Sequence, residues 1–179
     1  AIFSIIEQKE SARLKTYQLG IQDVAFVGLK NDTAVKGLLN QSDVTVNTEL
    51  LSANIKDMTL AQIHNFIKGL VNAFLANNNY TVYPNRLLLP TLDFNILGTQ
   101  FSPEFPVKTV RQVMEDAFKG ITGNDFKIVH AKYCDNAGTS GARYVLYNCD
   151  PDTLTMYLPR PYTPHPFILK GSLDLASPA

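Results

Sequence analysis

Two cysteines, Cys134 and Cys149, are the residues of this 179-residue chain whose type most directly suggests catalysis. A thiol becomes a nucleophile when a nearby histidine acts as its base, and the chain has three histidines. Neither cysteine lies in a sharp turn of the kind that exposes a nucleophile, so we predict that both are buried strand residues. Two cysteines without C-x-x-C spacing are too few for a disulfide framework, which favours an intracellular, reducing origin. A small α/β enzyme that uses a Cys and His pair remains an alternative.

The three histidines, His64, His130 and His165, do not predict a metal site. None of them has a second His, Cys or carboxylate at metal-ligand spacing. Glu115 and Asp116 are adjacent, so on a helix their side chains point in different directions and do not form a catalytic pair by themselves. We interpret both carboxylates as part of a solvated helix face, and we expect no metal and no cofactor.

Residues 135–141 form a stretch of small and polar side chains between two predicted strands. Its glycines resemble those of a phosphate-binding loop only superficially, because no Lys follows and the chain enters a strand instead of a helix. We therefore predict a mobile contact loop rather than a phosphate site. Its candidate contact residues are Asp135, Asn136, Gly138, Thr139, Ser140 and Gly141.

The charge balance excludes several classes of partner. Sixteen basic and sixteen acidic residues cancel, so no net field attracts the chain to nucleic acid or to an anionic membrane. Charged residues make up 18% of the chain, below the average of about 25%, which indicates either an ordinary polar surface or a surface that other subunits cover. The apolar run of residues 2–6 is too short to span a membrane and lacks the basic flank of a signal peptide. Because the chain does not begin with Met, we expect a piece of a longer protein.

Two amphipathic helices and one apolar strand are predicted to build the core. Apolar residues at spacings of three and four over residues 59–77 indicate a core helix, and Thr59 with Gln62 fits a capping box at its start. The apolar run of residues 86–89, closed by Pro90, is typical of a buried strand. The same capping pattern precedes a second core helix over residues 109–119, which we expect to end at Gly120.

The remaining elements are predicted with shorter signals. We expect a helix over residues 3–19 that Gly20 ends, a short helix over residues 91–97 that Gly98 ends, and an irregular polar connection over residues 47–58. A three-stranded meander is predicted toward the carboxyl end, with a turn at residues 150–152. The predicted strands are residues 24–27, 44–46, 126–133, 143–148 and 154–158. The four prolines in residues 159–166 exclude a regular ladder there, so this stretch is expected to be extended and at an edge or between layers.

Several short stretches, taken in order, resemble a known family. They are Gly28 with Gly37-Leu38-Leu39-Asn40, then residues 84–90 (PNRLLLP), then residues 143–147 (RYVLY) with Asp150-Pro151, and then residues 158–163 (LPRPYT). At these separations they resemble the major capsid proteins of tailed bacteriophages with the Hong Kong 97-type fold. The resemblance covers roughly residues 11–166. The family's extended N-terminal arm and its long β-hairpin loop are not recognisable in this sequence.

The resemblance implies an α+β fold of the Hong Kong 97 type. Residues 1–46 would form part of the peripheral domain, including the end of a long spine helix near Leu19. Residues 47–158 would form the axial domain, a central mixed sheet flanked by helices, and residues 159–179 would return to the peripheral domain and be cut short. The loop at residues 135–142 would then lie toward the capsomer axis, where small side chains let five or six copies crowd together.

The same resemblance implies a structural function and no enzyme. The chain would be a subunit of a bacteriophage head that assembles with itself, as pentamers and hexamers, into an icosahedral shell enclosing DNA. Further partners would be other virion proteins such as a portal or a scaffold, without sequence-specific nucleic acid binding and without a membrane. The expected location is the virion capsid, assembled in the bacterial host cytoplasm. A bacterial encapsulating compartment that stores a cargo enzyme is the near alternative within the same fold.

Overall fold

A computed structural model describes residues 2–51, 53–100, 106–138, 141–158, 162–163, 168–170 and 174–176. The helices are α1 (Ile2–Val27), α2 (Leu60–Asn77), α3 (Thr91–Thr99) and α4 (Val110–Thr122), with 3-10 turns at Ile55–Asp57 and Lys132–Cys134. The strands are β1 (Arg86–Leu89), β2 (Lys127–His130), β3 (Val145–Tyr147), β4 (Ile168–Lys170) and β5 (Asp174–Ala176). Helices with a small three-stranded sheet give an α+β fold, as predicted.

The chain divides into two compact units. Unit 1 consists of residues 1–40 and 156–179, and unit 2 of residues 41–155. Unit 1 contains α1 and the antiparallel pair of β4 and β5, while unit 2 contains the three-stranded sheet and the other helices. None of the helices in the described part of the chain combines the length and apolar content needed to cross a membrane.

The sheet of unit 2 is mixed, with β1 in the middle. β2 runs parallel to β1 and pairs Leu87 with Ile128, while β3 runs antiparallel and pairs Leu87 with Leu146. The predicted three-stranded meander is therefore wrong, because β1 lies between β2 and β3. The predicted strand at residues 154–158 is not formed either. Leu154, Met156 and Leu158 remain exposed, so their alternation does not mark a buried sheet face.

The core of unit 2 follows the predicted helices and strand. α2 buries five apolar side chains of its predicted stripe or beside it, namely Ile63, Phe66, Ile67, Val71 and Leu75. Phe118 of α4 is fully buried and stacks on Phe126, with the ring centroids 3.9 Å apart and the planes 5° from parallel. Both predicted capping boxes are present, at Thr59 and at Thr109. Local signals therefore set the start of each core helix.

The connection over residues 47–58 contributes more to this core than its polar sequence indicates. Ile55, in the first 3-10 turn, is fully buried, and Leu50 and Leu51 pack against the core cluster. Gly69 of α2 leaves room for this approach, because a Cβ there would lie 3.1 Å from Leu50 Cδ2. The stretch is irregular, as predicted, yet it covers one side of α2.

The helix α1 is longer than predicted. It continues through Gly20 to Val27, so the predicted stop at Gly20 and the predicted strand at residues 24–27 are both wrong. A glycine inside a helix costs only about 1 kcal/mol relative to alanine, so one glycine does not by itself end a helix. The helix ends instead at Gly28, whose φ of 75° is left-handed and whose N–H donates to Val24 O at 2.9 Å.

Other boundaries also differ from the predictions. α4 ends before Gly123, which has a φ of 71°, rather than at Gly120. The strands predicted at residues 126–133 and 143–148 shorten to β2 and β3, and residues 44–46, predicted as a strand, are irregular and exposed. The turn at residues 150–152 is formed as predicted, and α3 begins at Thr91 as predicted, but it continues through Gly98 to Thr99, so the predicted end at Gly98 is wrong. Of the proline-rich stretch at residues 159–166, only residues 162–163 lie within the described part of the chain.

Candidate functional site

The predicted contact loop begins at Asp135, directly after the second 3-10 turn. Both carboxylate oxygens of Asp135 are engaged by Thr91, the first residue of α3. The Thr91 backbone N–H donates to Oδ1 at 2.6 Å, and the Thr91 hydroxyl donates to Oδ2 at 2.8 Å. Pro90 precedes α3 and makes no side-chain cap, so a residue distant in sequence satisfies a free N–H of the first turn. Asp135 is therefore an internal anchor of the loop.

The loop closes on itself through backbone hydrogen bonds. The Arg143 N–H donates to Cys134 O at 2.8 Å, and the Gly138 N–H donates to Gly141 O at 2.7 Å. Gly138 admits no side chain, because a Cβ would lie 2.6 Å from Ala142 O, and Gly141 has a φ of 135°. Both glycines are thus required by the backbone itself. Asn136 is exposed, while Thr139 and Ser140 lie outside the described residues.

The chain that returns from the loop is held by a second side chain of α3. The Tyr144 hydroxyl donates to the carboxylate of Asp93, which is only 6% exposed. Burial, followed by the hydrogen bond to Asp93, raises the pKa of Tyr144 well above its ordinary value. The Tyr144 hydroxyl also accepts a hydrogen bond from the backbone of Ile55, in the 3-10 turn that packs on α2. The tyrosine therefore stays protonated and donates to the carboxylate at neutral pH.

Within the described part of the chain, the contacts of Cys134, Cys149 and His130 do not join a thiol to an imidazole, as the alternative enzyme requires. His130 Nε2 lies 2.9 Å from the Thr91 hydroxyl, and its ring centroid lies 5.9 Å from that of Phe94. Cys134 is buried, as predicted, but in a 3-10 turn rather than a strand, and burial raises its pKa to about 11. A thiol that keeps its proton at neutral pH is a poor nucleophile.

Cys149 corrects the prediction that both cysteines are buried. It follows β3, is exposed, and its N–H donates to the side-chain oxygen of Asn85 at 2.8 Å. The end of an edge strand leaves the side chain in solvent, which a strand pattern alone does not reveal. Of the other histidines, His64 is exposed on α2 and His165 lies outside the described residues.

The two adjacent carboxylates of α4 have different environments. Glu115 Oε1 accepts a hydrogen bond from the Ile128 N–H at 2.9 Å, so it closes part of the edge of β2 that β1 does not cover. The prediction of a solvated face is therefore wrong for Glu115. Asp116 is exposed and pairs with Lys108 at 2.6 Å. Within the described residues, no group of three or more His, Cys, Asp or Glu side chains is arranged to hold a metal ion.

Sequence reasoning missed three of the side chains that shape this region. Thr91, Asp93 and Tyr144 hold the stems of the loop, but each contact joins residues 44 or 51 positions apart. One signal was available, since Pro90-Thr91-Leu92-Asp93 places an acidic residue in the first turn of a helix that begins after a proline. The partner of that carboxylate could not be read from the pattern.

The Gly28 and Gly37-Leu38-Leu39-Asn40 motif also has a structural basis. Asn40 Oδ1 accepts from the Gly37 N–H at 2.6 Å, and Asn40 Nδ2 donates to Val27 O at 2.9 Å. A Cβ on Gly37 would lie 2.4 Å from the Phe26 carbonyl carbon. The two glycines and the asparagine therefore fold the chain back tightly against the end of α1.

Comparison with known proteins assigns the chain to a family. No curated protein matches the sequence. The family model described as "Major capsid protein" matches residues 3–179, which is nearly the whole chain and includes both units. A structural family agrees with the arrangement of the candidate site, in which Asp135 and Glu115 hold backbone groups. The chain therefore belongs to the major capsid protein family, whose members are virion structural proteins that assemble with themselves into the capsid.

Proposed function

We propose that the protein is the head subunit of a tailed bacteriophage and forms pentamers and hexamers in an icosahedral shell that encloses DNA. The observation that carries the proposal is the family match over residues 3–179. The formal net charge of zero leaves little repulsion between copies. Weak contacts then suffice, because each subunit of a closed shell is held by several neighbours at once.

The proposed fold is of the Hong Kong 97 type. Residues 47–158 form the axial domain, and residues 1–46 with residues 159–179 belong to the peripheral domain. A mixed sheet with helices packed on it in unit 2 supports the first assignment. In the proposed peripheral domain, α1 is the spine helix. Its 26 residues span about 39 Å at the usual rise per residue.

The contact loop of residues 135–141 meets the same loop of neighbouring subunits at the capsomer axis. Exposed Asn136 and the small residues after it support this role, since small side chains let several copies approach closely. The candidate contact residues remain Asp135, Asn136, Gly138, Thr139, Ser140 and Gly141. Among them, Asp135 acts mainly by holding the loop, because Thr91 occupies both of its oxygens. A portal or scaffold protein and assembly in the host cytoplasm belong to the same proposal.

Assembly of the full-length protein tests the proposal. We expect expression in bacteria to yield closed particles of uniform size, with five-fold and six-fold rings visible by electron microscopy. Particles purified from phage should contain DNA that nuclease does not reach. A full-length protein that stays monomeric at high concentration would overturn the proposal. Closed shells that enclose a protein cargo instead of DNA would favour an encapsulating compartment.

Crosslinking tests the position of the loop separately. Asn136→Cys in a Cys149→Ser background places one exposed thiol in the loop of each subunit. Treatment of assembled shells with a short bifunctional thiol reagent should give covalent ladders that end at five and six subunits. The matched control is Leu29→Cys in the same background, because Leu29 is 46% exposed and lies in unit 1, within residues 1–46 of the proposed peripheral domain. A ladder that stops at two subunits for Asn136→Cys would place the loop away from the axis.

A further inference from the structure

We infer that the first turn of α3 positions the contact loop, with Thr91 holding the outgoing stem and Asp93 holding the returning stem. The anchoring follows from contacts within one subunit. Its consequence for assembly rests on the proposed function, in which the loop meets its copies at the capsomer axis. Thr91 and Asp93 lie outside the loop and are therefore positioning residues rather than contact residues.

The outgoing stem is fixed by an unusually complete contact. Thr91 donates to Asp135 from both its backbone N–H and its hydroxyl, at 2.6 and 2.8 Å. The same hydroxyl lies 2.9 Å from His130 Nε2, at the end of β2. One threonine therefore joins the start of α3, the end of a sheet strand and the first residue of the loop. Charge-assisted hydrogen bonds of this kind are stronger than neutral ones.

The returning stem is held by a second residue of the same helical turn of α3. Asp93 is two residues after Thr91 in α3 and accepts the hydroxyl hydrogen of Tyr144, which is the third residue after Gly141. Since Asp93 is 6% exposed, loss of this donor would leave a buried carboxylate with one partner fewer. The two stems thus converge on a single helical turn.

The turn itself is firmly placed in unit 2. α3 follows β1 after Pro90 alone, and both Pro90 and Leu97 are buried. The Arg143 N–H to Cys134 O bond ties the two stems together, and both stems attach to α3. In a ring, small angular errors at that attachment would displace every loop tip from its neighbours. Release of either stem should therefore disturb the ring before it disturbs the fold.

Hydrogen exchange of the unassembled full-length protein tests the anchoring. Thr91→Val removes the hydroxyl and keeps the backbone N–H, so we expect the loop amides at residues 136–138 and 141–143 to exchange about tenfold faster. Tyr144→Phe should act on the same amides. Thr99→Val is the matched control, since the Thr99 hydroxyl donates within α3 to Asn95 O and Ile96 O. Equal exchange in Thr91→Val and Thr99→Val would overturn the anchoring.

Particle formation by the same variants tests the consequence for assembly. At an equal folded fraction, verified by thermal melting, Thr91→Val and Tyr144→Phe should give open or mis-sized particles. Thr91→Ser keeps the hydroxyl and should therefore form uniform shells. This difference between Thr91→Ser and Thr91→Val would show that the hydroxyl, and not a general loss of stability, controls assembly. Faster exchange with wild-type shells would overturn the positioning role in assembly. If the wild-type protein forms no shell, the proposed function fails while the exchange data still decide the anchoring.

Discussion

The helices α1 and α2 are both long, but only α2 buries its apolar side chains within its own unit. α2 has 18 residues and buries five of them, whereas none of the side chains described in residues 4–27 of α1 is buried. Three apolar side chains of α1, Ile5, Leu14 and Leu19, are 40–47% exposed. In a family that assembles with itself, this difference separates a helix that folds the subunit from a helix with apolar surface still available for contact.

The largest expected effect is the loss of a core side chain of α2. Ile67 is fully buried, so Ile67→Ala should lower the free energy of unfolding by about 2–5 kcal/mol. Ile5→Ala on α1 makes the same chemical change at an exposed position and should cost less than about 1 kcal/mol. Denaturant titration of both variants measures the two values. Equal losses would remove the distinction between the two helices.

Two glycines, Gly20 within α1 and Gly28 at its end, should respond to alanine with opposite signs. Gly28→Ala places a Cβ 2.2 Å from Val35 O on a residue with a φ of 75°, so it should destabilise the protein by about 2 kcal/mol or more. Gly20 has no heavy atom within 4 Å of an added Cβ, and Gly20→Ala should stabilise α1 by roughly 0.5–1 kcal/mol. Thermal melting distinguishes these results. Destabilisation by Gly20→Ala would mean that α1 does not continue through this position.

The buried groups of unit 2 predict a dependence of stability on alkaline pH. Burial raises the pKa of Cys134 from 9.0 to about 11, so the folded protein keeps a proton that the unfolded chain releases. The free energy of unfolding should therefore fall by roughly 2 kcal/mol as the pH rises from 9 to 11. Tyr144, whose pKa is also raised, adds to the fall above pH 10. In Cys134→Ala the part of the slope that begins near pH 9 should disappear; an unchanged slope would contradict this origin.

Substitution of exposed leucines of α1 should have the smallest effect on stability but a clear effect on assembly. Leu14→Asn with Leu19→Asn removes apolar surface from α1 and should change the free energy of unfolding by no more than about 0.5 kcal/mol per site. Sedimentation should nevertheless show fewer assembled particles than for the wild type. A matched pair of exposed polar side chains of α1, Lys15→Ala with Gln18→Ala, should leave assembly unchanged. Normal assembly of the leucine variant would mean that these two leucines do not contact another subunit.

The sequence predicted the core better than the ends and anchors of the elements. α2 and α4 were predictable because periodicity and capping boxes are local, and both boxes are formed. The end of α1 was not predictable, since an interior glycine is tolerated in a helix and the β-branched residues after it carry only a weak strand preference. Gly28, rather than Gly20, has the left-handed backbone that ends the helix.

The candidate site was predictable as a loop but not as an anchored one. Small residues at 135–141 indicated a contact loop, and the glycines there are indeed required by backbone geometry. The contacts of Thr91 with Asp135 and of Asp93 with Tyr144 depend on how the sheet brings distant residues together. Such pairings carry no local pattern, so the loop was expected to be mobile where the structure shows its stems held by α3.

A three-dimensional reconstruction of particles assembled from the full-length protein tests the central claim most directly. The account predicts an icosahedral shell in which residues 136–142 of five or six subunits surround each capsomer axis, with the α2 and β1 core unchanged in every copy. It also predicts that exposed apolar side chains of α1, Leu14 and Leu19, contact another subunit. A particle in which the loop faces solvent away from any symmetry axis, or a protein that forms no particle, would contradict it.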